Sequence, residues 1–235
     1  MSHSVNIIRI KAVNNVLSNL QIPMVFVGGA TVSLYADIDF REEVRPTDDV
    51  DIVVEIAAYK NFAAIENKLR ELGFENDIES KVICRYKING IIVDIMPTDE
   101  KVLGFSNKWY ADGFKNAIDF KIDKQHIVKI FPVEYFIASK LEAFKSRGKN
   151  DGRFSTDFED IVFVLNTRST IWQNLQDAPK AINEYLKNEF TQLLAHPYID
   201  EWISAHLNYT EQRRVNLIIG SLTEFVNDKN QLTDL

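Results

Sequence analysis

Acidic side chains at alternate positions of one predicted strand are the first candidates for chemistry. The segment 47–54 reads Thr-Asp-Asp-Val-Asp-Ile-Val-Val. Residues two apart in a strand lie on one face, so Asp49 and Asp51 are expected to point the same way. Two such carboxylates repel each other unless a cation neutralises them, and Mg²⁺ prefers a few carboxylate oxygens together with substrate phosphates. A solvated strand end is the alternative interpretation of this pair.

A third carboxylate, Asp94, is predicted on the polar face of a later strand. The Asn-Gly dipeptide between segments 82–88 and 91–96 predicts a β-hairpin, because a type I′ turn needs positive φ at both central residues. Counting outward from that turn pairs Arg85 with Asp94. If this strand lies beside the strand of the first two acids, three carboxylates meet. A surface salt bridge to Arg85 is the alternative role of Asp94.

The glycine pair Gly28-Gly29 is predicted at a turn from a strand into a helix. Glycine allows close backbone approach, and the free N–H groups at the start of the following helix would form an anion site that suits phosphate. The hydroxyls of Thr31 and Ser33 could contact the same phosphates. A plain tight turn is the alternative interpretation of the glycine pair.

Lys140 is predicted to lie inside the apolar stripe of a helix over 132–147. An ammonium group there needs an anionic partner, so contact with a triphosphate is favoured over a lysine that reaches water at the edge of the stripe. Arg147 follows seven residues later on nearly the same face. Asp157 and Asp160 begin the next predicted helix, where acids also stabilise the helix dipole without any ligand.

Hydrophobic periodicity and turn residues predict that strands precede a helical region. The predicted strands cover 24–27, 50–54, 82–88, 91–96 and 126–131. The predicted helices cover 5–20, 30–36, 59–72, 132–147, 156–165, 179–194, 199–207 and 211–226, with a polar loop at 38–48. These elements predict an α/β (α+β) protein, with a mixed β-sheet flanked by helices in residues 1–131 and a helical bundle in residues 132–235.

Composition and charge limit the classes of protein and partner. Of the 235 residues, 46% are hydrophobic and 26% are charged, which excludes a disordered chain, a collagen-like fibre and a coiled-coil rod. The net charge of −7 excludes a chain-wide positive field for nucleic acid. Segment 140–153 holds five basic and two acidic side chains, and this local net charge of +3 fits either a phosphate-binding loop or a solvated one.

Cysteine content and hydropathy bear on the cellular setting. The single Cys84 excludes an intramolecular disulfide and a multi-cysteine zinc site, and it favours a reducing, cytoplasmic setting. No apolar run approaches the ~18 residues of a membrane-spanning helix, so we expect no signal peptide, membrane anchor or membrane partner.

In combination, these motifs resemble those of a known family. Residues 28–31 (Gly-Gly-Ala-Thr), residues 45–51 (Arg-Pro-Thr-Asp-Asp-Val-Asp) and Asp94 resemble the nucleotidyltransferases of the DNA polymerase β superfamily, in particular the abortive-infection toxins of AbiEii type. Residues 140–147, with Asp157 and Asp160 after them, look like the helical Lys-x-x-Ala-x-x-x-Arg and Asp-x-x-Asp motifs of that group, separated by a longer loop. The resemblance covers residues 24–165.

The resemblance implies a fold, a reaction and a set of site residues. Residues 1–131 would be a nucleotidyltransferase domain, and residues 132–235 a helical domain that closes the nucleotide cleft. Asp49, Asp51 and Asp94 would be catalytic and would hold Mg²⁺ or Mn²⁺. The implied nucleotide-binding residues are Gly28, Gly29, Thr31, Ser33, Arg45, Thr47, Lys140 and Arg147.

The resemblance also implies partners. The donor would be an NTP, the acceptor hydroxyl would belong to an RNA such as a tRNA 3′ end, and a toxin of this kind would be held in check by a cognate antitoxin. Two alternatives stay open: a nucleotide-binding regulatory module without catalysis, and a nucleotidyltransferase that modifies a small molecule or a protein.

Overall fold

The chain divides into two compact units. The computed structural model describes residues 2–20, 22–55, 59–80, 82–104 and 106–228. The first unit comprises Met1–Leu34 and Ile38–Pro132, and the second comprises Tyr35–Asp37 and Val133–Leu235. The assignment of residues 1–131 and 132–235 as functional domains stays a prediction.

The first unit is built on a mixed β-sheet, as predicted. Over the described residues the sheet has seven strands in the order β3-β4-β5-β2-β1-β7-β6. The β2–β5 and β1–β7 pairs are parallel, and the other pairs are antiparallel. The strands are β1 (Met24–Val27), β2 (Asp49–Val54), β3 (Glu75–Asn76), β4 (Arg85–Ile88), β5 (Ile91–Pro97), β6 (Ile118–Lys121) and β7 (Ile127–Ile130).

The β4–β5 hairpin has the predicted register, with Arg85 opposite Asp94. Asn89 and Gly90 both have positive φ, at 48° and 76°, as a type I′ turn requires. The prediction placed the start of β4 three residues too early. Residues 82–84 form a turn closed by a hydrogen bond from the Arg85 amide to the Val82 carbonyl, and Val82 is 37% exposed.

Two of the three helices predicted before residue 132 have nearly the predicted length, and the third is shorter. The helix predicted at 30–36 is a 3₁₀ turn, Gly29–Thr31, followed by four α-helical residues, and the loop predicted at 38–48 contains the 3₁₀ segment Ile38–Glu43. The helices are α1 (Ser2–Leu17), α2 (Val32–Tyr35), α3 (Tyr59–Glu71), α4 (Glu100–Leu103) and α5 (Tyr110–Lys115). The sequence did not predict α4, α5, β3 or β6.

The second unit is helical, as predicted. Its helices over the described residues are α6 (Val133–Arg147), α7 (Thr156–Thr167), α8 (Ile171–Gln176), α9 (Lys180–Leu194), α10 (Ile199–Ala205) and α11 (Arg214–Asn227). Short α8 was not predicted, and α11 begins later than predicted because Tyr209–Glu211 form a 3₁₀ turn. Phe144, Phe158 and Trp202 pack their rings together in the core, with centroids 5.2–5.8 Å apart.

The sequence predicts no membrane-spanning helix. No helix within the described residues combines the length and the apolar character that crossing a bilayer requires.

Candidate functional site

Three carboxylates meet where β2 and β5 lie side by side. The parallel register places Asp51 directly beside Asp94, and Asp49 lies two residues earlier on the same face of β2. One oxygen from each of the three carboxylates lies within 4.8 Å of the others. Val50 and Ile52 alternate with these acids and are fully buried, so the apolar face of β2 fixes the direction of the acidic face. The predicted convergence of the three acids is confirmed.

The guanidinium of Arg85 bridges two of these carboxylates. Its Nε donates to Asp94 Oδ1 at 2.8 Å, and its Nη2 donates to Asp94 Oδ2 at 2.8 Å and to Asp49 Oδ2 at 2.9 Å. The hydrogen bonds to Asp94 raise the pKa of the Arg85 guanidinium above its usual range. The register of the β4–β5 hairpin predicted the contact between Arg85 and Asp94. The contact with Asp49 could not be predicted from the hairpin, because it depends on which strand pairs with the other edge of β5.

This cluster has the composition of a divalent-cation site. Its donors are carboxylate oxygens, the ligands that Mg²⁺ and Mn²⁺ prefer. It also accommodates a cationic group, since the guanidinium of Arg85 lies between Asp49 and Asp94. Asp49, Asp51 and Asp94 could therefore hold a metal ion.

The loop before β2 is tied to the acidic cluster. Thr47 Oγ1 donates to Asp49 Oδ1 at 3.1 Å, and the Arg9 guanidinium donates to the Thr47 carbonyl. Gly29 lies against the same loop, because a Cβ on it would come within 2.9 Å of Arg45 Nη2 and 3.1 Å of Thr47 Oγ1. The structure thus brings Gly29, Arg45 and Thr47 together beside the acids. Arg9, in α1, had no sequence signal that pointed to this role.

Gly28 lies in contact with the carboxylate of Asp51. Its backbone has φ +70° and ψ −163°, a conformation that is essentially restricted to glycine. A Cβ at this position would be 1.8 Å from Asp51 Oδ2. The close approach expected of the glycine pair is therefore an approach to a side chain of this chain, and contact with phosphate stays a prediction.

The helix expected to supply an anion site after the glycine pair is only four residues long. A helix dipole is a sum over aligned peptide units, so α2 contributes little of it. The two hydroxyls predicted to join the site are fully buried: Thr31 Oγ1 donates to the Gly28 carbonyl at 2.9 Å, and Ser33 Oγ lies 2.8 Å from His3 Nδ1. Nucleotide binding by Thr31 and Ser33 stays a prediction, and these contacts do not support it.

Gly28→Ala is expected to lose metal binding as well as stability. The residue would adopt an unfavourable backbone conformation, which costs about 1–3 kcal/mol, and its methyl group would also displace the Asp51 carboxylate. Gly90→Ala is the matched control, because Gly90 also has positive φ but has no atom within 4 Å of the added methyl group. Calorimetry should show weakened Mn²⁺ binding only in Gly28→Ala, while urea unfolding shows both variants destabilised. Equal Mn²⁺ affinity in the two variants would rule out the steric role of Gly28.

Lys140 and Arg147 belong to the second unit, where two aspartates surround Lys140. Lys140 is 5% exposed, and its Nζ lies 3.1 Å from Asp157 Oδ1 and 2.7 Å from Asp160 Oδ2. Arg147 Nε donates to Asp157 Oδ2 at 2.6 Å, and Nη2 donates to Asp157 Oδ1 at 2.8 Å. The anionic partner that the apolar setting of Lys140 demands is thus present within the protein.

This network sets the charge state of its central carboxylate. Burial alone would raise the pKa of Asp157, but the hydrogen bond from Arg147 and the charge of Lys140 hold it below its usual range. Asp157 lies in the first turn of α7, where an acid stabilises the helix dipole, and both Asp157 and Asp160 also contact Lys140. Nucleotide binding by Lys140 and Arg147 stays a prediction, now without the support of an unsatisfied ammonium group.

Acidic side chains, some of them from other helices, compensate much of the positive charge of segment 140–153. Lys145 contacts Glu142 and Glu189 at 3.2 and 3.0 Å. Arg153 contacts Asp151 and Glu201 at 2.7 and 2.9 Å. The local count of +3 left out Glu189 and Glu201, which come from α9 and α10, so the segment offers less excess charge to a phosphate backbone than we predicted.

The geometry of the site can be set beside what is known of similar proteins. No family model matches the sequence, and no curated protein matches it significantly. Among solved structures, the chain is similar to an antigenic nucleotidyltransferase-like protein from Paracoccidioides brasiliensis, with 18% sequence identity over 89% of this chain and 94% of that chain and a TM-score of 0.47. A likeness at this level carries no conclusion about activity, which has to rest on the residues of the chain itself.

Proposed function

We propose that this protein transfers a nucleotidyl group from an NTP to an acceptor hydroxyl, with Mg²⁺ or Mn²⁺ bound by Asp49, Asp51 and Asp94. The observation that carries the proposal is the meeting of three carboxylate oxygens within 4.8 Å on adjacent parallel strands. The resemblance of residues 28–31 and 45–51 to the polymerase β superfamily adds the reaction class. Both observations lie in the first unit.

The three aspartates of the cluster would have different roles in such a reaction. Asp49 and Asp51 would hold the metal, and Asp94, as the third ligand, would also orient the acceptor hydroxyl or accept its proton. The hydroxyl oxygen forms a bond to the α-phosphorus, the bond from that phosphorus to the bridging oxygen breaks, and pyrophosphate leaves. Bound divalent ions would supply charge neutralisation at the nucleotide phosphates and at the attacking oxygen.

The direct test is transfer of label from each of the four α-³²P-labelled NTPs in the presence of cellular RNA, soluble protein or small-molecule extract. We expect label in one acceptor fraction with Mg²⁺ or Mn²⁺ and none after chelation with EDTA. NTP binding by calorimetry without transfer to any fraction would instead support the alternative of a regulatory nucleotide-binding module. Neither binding nor transfer would refute the proposed function.

For the acceptor, we propose RNA, most specifically a tRNA 3′ end, with growth arrest as the result and a cognate antitoxin as the partner. The support is the resemblance of residues 28–31, 45–51 and 140–147 to the AbiEii-type toxins. The charge of segment 140–153 adds little support, because acidic side chains largely compensate it. Label should then enter the RNA fraction, and expression of the protein should slow bacterial growth. Label in the protein or small-molecule fraction would replace the RNA proposal with the corresponding acceptor.

A further inference from the structure

Arg85 holds a position among the three acids that a bridging cation would also take. Its Nη2 donates to Asp94 Oδ2 at 2.8 Å and to Asp49 Oδ2 at 2.9 Å, so a single nitrogen joins carboxylates from two different strands. We propose that Arg85 is the built-in counter-cation of the acidic cluster: it keeps the carboxylates together without metal, and it must release Asp49 before a metal ion binds fully. This inference rests on the metal site of the proposed function.

The metal-free cluster needs such a cation. Three carboxylates whose oxygens lie within 4.8 Å repel one another, and Asp94 is buried enough that solvent screens the repulsion only in part. Arg85 is itself only partly exposed, and it contacts Asp94 through two nitrogens, the strongest geometry for an arginine–carboxylate pair. The positive charge of Arg85 therefore stabilises the arrangement of acids that the sheet imposes.

The two contacts of Arg85 differ in how they are held. Arg85 and Asp94 are cross-strand neighbours, so the backbone register of β4 and β5 fixes their pairing. Asp49 lies on β2, beyond β5, and only the reach of the arginine side chain makes that contact. The contact with Asp49 is therefore the one that can be broken without disturbing the sheet.

A metal ion and Arg85 compete for the same acceptor oxygen. A lone pair of Asp49 Oδ2 that accepts from Nη2 is not free for a metal, and two cations at one cluster repel each other. Removing the charge of Arg85 should consequently tighten metal binding while destabilising the metal-free protein. A residue that merely supported the fold would have the opposite effect on metal affinity, since its loss would loosen the ligands.

The test compares Mn²⁺ binding by wild type, Arg85→Gln and Lys87→Gln, measured by calorimetry and by electron paramagnetic resonance of free Mn²⁺. Lys87 is the matched control: it lies two residues further along β4 on the same face, and it pairs with Asp77 at 2.9 Å rather than with the acidic cluster. We expect at least about fivefold tighter binding in Arg85→Gln, the low end of usual coupling between sites, and no change in Lys87→Gln. The unfolding temperature of Arg85→Gln should fall in EDTA and recover with Mn²⁺.

Unchanged or weaker Mn²⁺ binding in Arg85→Gln, with normal binding in wild type, would overturn the role of Arg85 and leave the proposed function standing. Absence of Mn²⁺ binding in both proteins would overturn the metal site and this inference together.

If Arg85→Gln does not fold, Arg85→Lys takes its place, because lysine keeps the charge but cannot make the two-nitrogen contact with Asp94. That variant should bind Mn²⁺ more tightly than wild type but less tightly than expected for the glutamine variant, and unchanged or weaker binding would overturn the proposal.

Discussion

Asp51→Asn is expected to abolish nucleotidyl transfer and to leave the fold intact. Asp51 lies directly beside Asp94 in the register of β2 and β5, so in the proposed reaction it would supply a metal ligand at the centre of the cluster. Changing residues that only support a metal ligand costs about 10- to 100-fold in metal affinity or activity, so loss of a ligand should cost more than about 100-fold. Asparagine has nearly the same shape as aspartate and its site is half-exposed, so no cavity forms. Initial rates of label transfer at saturating Mg²⁺ measure the effect.

Asp48→Asn is the matched control for this experiment. Asp48 is exposed, precedes β2 by one residue and lies outside the cluster, yet its substitution removes the same charge. The control should transfer label at the wild-type rate, and circular dichroism with urea unfolding should show both variants folded. Wild-type transfer and metal affinity in Asp51→Asn would remove the basis of the proposed reaction.

Local patterns predicted those parts of the site whose geometry is decided within a few residues. The alternation of acids and aliphatic residues in β2 indicated the face of Asp49 and Asp51, and the Asn-Gly turn indicated the partner of Asp94. Pairing of β2 with β5 joins segments about 40 residues apart, and no turn fixes it. The sequence could therefore predict the meeting of the three acids only on the condition that the two strands are neighbours.

Contacts between distant segments account for what the sequence did not predict. Arg9 binds the Thr47 carbonyl from 38 residues away, and Arg85 reaches Asp49 from 36 residues away. Short elements were missed for a different reason. Helix α5 has six residues and an internal glycine, and the strand β6 has no buried residue, so neither shows a hydrophobic period.

The prediction about Lys140 shows where reasoning from one helix reaches its limit. Its place in the apolar stripe of α6 correctly indicated that an anion must lie nearby. Which anion depends on the packing of α7 against α6, which presents Asp157 and Asp160 to the ammonium group. A phosphate and a carboxylate satisfy a buried lysine equally well, so sequence alone could not choose between them.

Lys140→Met is expected to be the most destabilising of these substitutions. Methionine fills similar volume, but it leaves two buried carboxylates, 2% and 1% exposed, without the ammonium group between them. Breaking a buried ion pair by removing one partner costs about 3–5 kcal/mol. Lys180→Met in α9 is the control, because Lys180 pairs with Glu184 at the surface, with side chains 73% and 62% exposed, and such pairs contribute about 0–1 kcal/mol. Urea unfolding at neutral pH measures both free energies.

The cost of Lys140→Met should shrink in acid, and Asp157 determines the sign of this pH dependence. Its pKa is lowered in the folded protein from the ordinary value of 3.8, so its stabilising effect is present above that pH and is lost as the pH falls through the lowered folded-state pKa. Without Lys140 that lowering is reduced, so wild type and variant should converge in stability below about pH 4. A difference that stays constant from neutral pH to pH 3 would show that packing, and not charge, is the role of Lys140.

If Lys140 also contacts nucleotide phosphates, the folded variant should lose more affinity for an NTP than for the matching nucleoside, whereas equal losses would assign the residue to the buried network alone.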